Sequence, residues 1–121
     1  MNTVEIVDRE KKRRLERGYE FEAEFTFTVR GKEYTQSRRW SIPLDTESRI
    51  DMLGLMERAK NGESIIYTFR SGLDVKFEPN EFLDLANKAL QTYSKIHHLA
   101  KEAVSLKDEE FRNKFKELES V

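Results

Sequence analysis

His97 and His98 are the only histidines, and they are adjacent. Neighbouring side chains on a helix diverge by about 100°, so the pair cannot close on one metal ion unaided. His98 and Glu102 stand four apart, a spacing that places two ligands on one helical face, but spacing supplies no third ligand for a tetrahedral site. His97 falls on an apolar stripe with Leu90, where a packed, hydrogen-bonded ring is expected. Arg38, Arg39 and Trp40, with Lys32 nearby, carry the chemistry of a single-stranded nucleic-acid platform: cations for phosphate, an indole for base stacking. Glu20, Glu22 and Glu24 precede them and would repel phosphate. Those carboxylates lie on what reads as a wet face, without the apolar surroundings that raise a pKa for acid–base work. The five glycines are scattered, so there is no phosphate-cradling loop. With no cysteine, thiolate catalysis, disulfides and zinc ribbons are excluded. The residue types therefore imply no catalytic group, no metal and no cofactor.

Composition narrows the partners. The 121 residues are 37% hydrophobic and 37% charged, the balance of one domain with a heavily charged surface. Twenty-two basic residues offset 23 acidic ones for a net charge of −1, so no global attraction to nucleic acid or an anionic membrane is expected. No apolar run approaches ~18 residues, and the amino terminus alternates acid and base, which predicts neither a membrane span nor a signal peptide.

A long helix from Pro79 to Val104 organises the remaining elements. Phe82, Ala86, Ala89, Tyr93, Ile96, Ala100 and Ala103 recur at steps of four and three, and Leu83, Leu90, His97 and Val104 run beside them. Leu85 and Leu99 widen the apolar surface. Pro79 suits the first helical position, Glu81 stands three after Glu78, and Phe77 can staple against Phe82. At 1.5 Å per residue this helix spans roughly 39 Å.

From the start, residues 1–18 read as a charged helical arm, capped by Thr3 or Asp8 and ended by Gly18 in a left-handed turn. Its mixed charges describe a solvated helix, in which Val4, Ile6, Val7 and Leu15 offer little to bury. Tyr19, Phe21, Ala23, Phe25, Phe27 and Val29 then alternate with polar residues without an error, the pattern of a strand with one buried face. Gly31-Lys32 as a two-residue turn sets Val29 opposite Tyr34, Ala23 opposite Trp40, Phe21 opposite Ile42 and Glu24 opposite Arg39. Gln36 and Arg38 then fall on the inner face, so either the hairpin tip projects beyond the core or a bulge shifts the register. Asp45 caps a helix through about Lys60 whose apolar side is Ile50, Leu53, Met56 and Ala59, flanked by Met52 and Leu55. A second hairpin follows: Ile65, Tyr67 and Phe69 inward, a turn at Ser71-Gly72, then Leu73, Val75 and Phe77. After the long helix, Ser105 and Asp108 have capping-box spacing ahead of Phe111, Phe115 and Leu118. The expected architecture is α+β: two antiparallel hairpins packed against one medium and one long helix, with the core at residues 19–105 and a tail helix at 106–121.

The order of these motifs resembles a known family. The charged lead-in helix before Tyr19, Val29-Arg30-Gly31-Lys32-Glu33-Tyr34 and the Asp45-Thr46-Glu47-Ser48-Arg49 helix start all fit it. So do Tyr67-Thr68-Phe69, the Gly72 turn into Val75-Lys76-Phe77, and Glu81-Phe82 opening a long helix with Tyr93 inside. Together they resemble the small domain, of unassigned biochemical role, found in tail-fibre and tail-associated proteins of tailed bacteriophages and prophages. The likeness covers Val4 to Phe115 and departs at Thr35 to Leu44, a longer and more basic return strand. It carries no catalytic residue across. It implies a non-enzymatic virion tail component or tail-fibre assembly factor, assembled in the host cytoplasm, whose partner is another copy or a fibre or baseplate protein. A small phage regulatory protein that binds a host protein or nucleic acid is the alternative.

The long helix has more apolar stripe than two hairpins and one short helix can cover. Tyr93, Ile96, Leu99, Ala100 and Ala103, with Phe111, Phe115 and Leu118 of the tail, form the expected partner-binding surface; small residues there let another helix approach closely. The other possibility is that the tail folds back and covers that stripe within one chain. For the strand, inward odd residues predict that Phe25→Glu costs about 3 kcal/mol or more, while Thr26→Glu costs little. Thermal melts of the two variants check this; equal losses would reject the alternation.

Overall fold

The computed structural model describes residues 2–121. In chain order the elements are α1 (Thr3–Arg17), β1 (Tyr19–Val29), β2 (Lys32–Ile42), α2 (Thr46–Lys60), β3 (Ile65–Thr68), β4 (Asp74–Phe77), α3 (Pro79–Ala103) and α4 (Asp108–Glu119). The strands form one antiparallel sheet in the order β2-β1-β4-β3, as the α+β reading expects.

β1 pairs with β2 along its whole length, from Tyr19 opposite Ile42 to Val29 opposite Lys32. The turn is therefore Arg30-Gly31 rather than Gly31-Lys32. Both residues have positive φ, 51° and 79°, the type I′ geometry whose twist matches that of the strands it joins. Moving the turn back by one residue shifts the expected register by two. Phe27 faces Tyr34, Ala23 faces Arg38, Phe21 faces Trp40 and Glu24 faces Ser37. A two-residue shift leaves every side chain on its predicted face. Arg39 meets Glu20 at 3.0 Å and Glu22 at 3.9 Å instead of Glu24. There is no bulge; the tip projects, with Lys32 through Arg39 exposed and Trp40 and Ile42 buried.

The second hairpin places Ile65, Phe69, Val75 and Phe77 in the core as expected. Phe69 is the hub of the aromatic packing. Its ring lies 4.7 Å from Trp40 and 4.8 Å from Tyr67, with Phe21, Phe25 and Phe77 further out at 6.1–6.3 Å.

In α2, Asp45 accepts hydrogen bonds from the Ser48 N–H and hydroxyl, which fixes the helix phase. Met52, Met56 and Ala59 turn inward, while Ile50 and Leu53, expected to be inward, face solvent. The 52-56-59 series is itself a four-and-three stripe, and it belongs to the helix that packs on α3. α3 opens as predicted. The Glu78 N–H donates to Glu81 Oε1 at 3.0 Å, and Phe77 packs against Phe82 with ring centroids 6.2 Å apart.

The back half of α3 is covered from within the chain. α1 begins at an Asn2 cap, not Thr3 or Asp8, the Asn2 Oδ1 accepting from the Glu5 N–H at 2.9 Å. It is not a solvated arm: Val7 and Glu10 are buried, and the helix packs on both α3 and α4. Its buried carboxylate is held between Arg14 Nε at 3.0 Å and Arg13 Nη1 at 3.3 Å. The tail does not use the Ser105 capping box. The Ser105 hydroxyl donates to the Glu102 carbonyl, Lys107 takes the cap position, and Asp108 turns the chain at φ 53°. α4 then doubles back along α3, with Lys114 Nζ 3.1 Å from Glu102 Oε2 and Arg14 Nη1 donating to the Glu119 carbonyl at 2.9 Å.

Gly18 joins this helical layer to the sheet. Its φ of 78° and ψ of −160° are closed to other residues. A Cβ there would stand 2.0 Å from the Ile42 carbonyl oxygen, whereas one on Gly31 would meet nothing. Gly18→Ala should cost at least about 3 kcal/mol and lower Tm by roughly 10 °C or more, against about 1 kcal/mol for Gly31→Ala. Similar melting temperatures for the two variants would contradict that close approach.

Candidate functional site

β1 has two unequal edges. Toward β2 it pairs at all 11 residues; toward β4 it pairs only at Phe27 and Thr28. A two-residue turn closes on a hydrogen-bonded pair, here Val29 and Lys32, and pairs alternate from there. Odd residues of β1 therefore direct their backbone groups to β2, and even residues direct theirs the other way. Thr28 finds Asp74 there. The backbone groups of Glu20, Glu22 and Glu24 look past the end of β4, where the chain has already turned into α3.

That divergence opens a groove of about 360 Å³. Its floor is apolar: Phe21, Ala23 and Phe25 from β1, Phe77 from β4 and Leu85 from α3. The β1 residues on this floor are half-buried rather than buried, because no strand adjoins them on the β4 side. The far wall is one face of α3, where Glu81, Asp84, Leu85 and Lys88 recur at helical spacing. Glu81 is fixed by its bond to the Glu78 N–H. Asp84 pairs with Lys88 at 3.1 Å, and this hydrogen bond raises the Lys88 pKa. Glu22 borders the groove through the β1 backbone while its side chain lies on the outer sheet face near Arg39, so the wall sets two carboxylates against one ammonium. On the opposite sheet face Glu20 is held ionised, its pKa lowered by hydrogen bonds from Arg17 and Arg39. The groove thus offers unpaired backbone groups, an apolar floor and a net negative wall, a combination suited to binding an extended chain.

The residues singled out by sequence lie elsewhere. Ile96, Leu99, Ala100, Ala103 and Leu118 are buried inside the chain, and Tyr93, Phe111 and Phe115 are half-buried. The expected partner surface is therefore an intramolecular seam: α1 and α4 fold back over α3 and remove its stripe from water. Arg38 and Arg39 emerge on opposite faces of β2, and Trp40 is 3% exposed with its Nε1 donating to the Ala23 carbonyl. Arg38 lies over the Phe27 and Trp40 rings at 5.8 and 5.9 Å, so the indole supports the hairpin and presents no stacking platform. Among the described residues no three His, Asp or Glu side chains gather as metal ligands around His98 and Glu102 or anywhere else.

His97 is packed and hydrogen-bonded, as its stripe implied. Lys11 Nζ of α1 donates to His97 Nδ1 at 3.0 Å, Tyr93 stacks on the imidazole at 5.8 Å, and Arg49 of α2 covers the Tyr93 ring at 3.7 Å. The free edge of β1 has one sequence signature: an alternating run of 11 residues facing a four-residue return strand that runs straight into Pro79. Compared with known family models, curated proteins and solved structures, the chain matches none.

The Lys11 ammonium, followed by the loss of hydration, depresses the His97 pKa below its ordinary 6.5. Below pH 6.5 the unfolded chain then binds a proton that the folded chain refuses, so stability falls as pH drops through that window. Lys11→Met should flatten the slope of stability between pH 7 and pH 5. Urea melts at several pH values check this, and an unchanged slope would contradict the Lys11–His97 coupling.

Proposed function

We propose that this chain is a non-enzymatic interaction module that docks another polypeptide as an added strand along the free edge of β1. The observation that carries this reading is the row of unpaired backbone groups at Glu20, Glu22 and Glu24 beside the apolar floor of the groove. Strand addition draws affinity from main-chain hydrogen bonds and specificity from pockets for alternate side chains, and Phe21, Ala23, Phe25 and Leu85 supply such a surface. The resemblance noted above gives the setting: a virion tail component or tail-fibre assembly factor.

Mass spectrometry of purified virions, with co-purification from infected lysates, tests the setting; the chain is expected in the tail fraction or bound to a fibre or baseplate protein. Glu22→Pro tests the mode of docking. It removes one outward N–H, at a position where an edge strand tolerates proline, and leaves the β2 pairing intact. Binding to the co-purified partner should fall at least tenfold with only a small change in Tm. Full binding by the folded variant would overturn strand addition.

A further inference from the structure

We propose that the occupant of this groove is the β1–β2 hairpin of a second copy, so that copies associate head to tail; this rests on the groove being a docking site. The hairpin tip is the surface of the molecule that complements the groove in all three of its properties. Two of the exposed large hydrophobic side chains, Val29 and Tyr34, lie on its inner face, 36% and 41% exposed. Lys32 and Arg38 share that face, and among the described residues neither has a carboxylate within ion-pair distance. By the alternation that leaves even residues of β1 unpaired, the odd residues of β2, Glu33, Thr35, Ser37 and Arg39, point their backbone groups away from β1. β2 is the edge of the sheet, so they meet no strand.

Apolar side chains beside cations on the hairpin thus match an apolar floor beside Glu81 and Asp84 in the groove, and both carry an open strand edge. β2 to β2 pairing about a two-fold axis is the competing use of that edge. Paired residues across such an axis share a sheet face, so an axis at Arg39, whose backbone groups point outward, would set arginine against arginine, a repulsion typical of protected edges. Hairpin to groove meets no such repulsion. Because the two surfaces differ, the contact is heterologous and propagates into a ring or a filament, which suits a repeating assembly.

Light scattering on the full chain over a concentration series reads the association. The mass-average molecular weight should rise with concentration and fall back with added salt, since the attraction to the wall is screened. Two variants each disable one surface: Lys32→Glu with Tyr34→Ser on the hairpin, and Glu22→Pro with Asp84→Lys on the groove. All four positions are exposed, and a cooperative melt confirms folding. Each variant alone should be monomeric, its association weakened at least tenfold. Mixed one to one, each retains the surface the other lacks, and the mixture should stop at a dimer. A wild-type chain that stays monomeric at millimolar concentration overturns the proposal, as does a mixture that does not dimerise. Capture of a fibre or baseplate protein that Glu22→Pro abolishes would, in those cases, leave the groove reading standing with a different occupant.

Discussion

Four residues of β4 adjoin a strand of 11, and the rest of the structure adapts to that mismatch. β1 and β2 pair along their full length, so the long hairpin takes its register without the second hairpin, on whose Phe69 its aromatic side chains pack. The second hairpin covers only the stretch around Phe27 and Thr28 before the chain turns into α3. On one side of this junction the hairpin tip runs out beyond the core. On the other, β1 separates from β4 and leaves an aromatic face half-covered. Neither surface is buried by any other element, and both contain backbone groups whose only partner is solvent.

The helical layer is built the other way, with the long apolar stripe of α3 covered. α3 is the common neighbour of α1, α2 and α4. Val7, Ile96, Ala103 and Leu118 are wholly removed from water where these helices meet. Arg14 links the layer. It faces the Glu10 carboxylate and donates to the Glu119 carbonyl at the end of α4, where positive charge is favoured. Removing one member of the buried Glu10–Arg14 pair would strand the other charge, while the bond to Glu119 ties α1 to α4.

Much of this was legible in the sequence because the signals were local. The period-two run from Tyr19 to Val29, the Phe77–Phe82 staple and the Asp45 cap each depend on residues close in the chain, and each formed. The turn was misplaced by one residue because glycine suits either central position of a two-residue loop, and Arg30 gives no sign that it will adopt positive φ. The spacing marks the stripe on α3 as apolar without naming its occupant, since covering in cis or in trans buries the same atoms. Ile50 and Leu53 looked inward because α2 has apolar residues on more than one face, and only its contact with α3 selects between them. The groove was the least visible feature. It follows from where one strand stops beside another, a non-local property that alternation does not encode.

Hydrogen exchange of backbone amides in β1, followed residue by residue by NMR, tests the account at its base. The amides of Phe21, Ala23 and Phe25 should be strongly protected by β2, while those of Glu22 and Glu24 should exchange within minutes in dilute solution. Addition of whatever fills the groove should then protect the even series alone. Equal protection of odd and even amides in the dilute monomer would mean that β1 has no free edge, and would contradict the account.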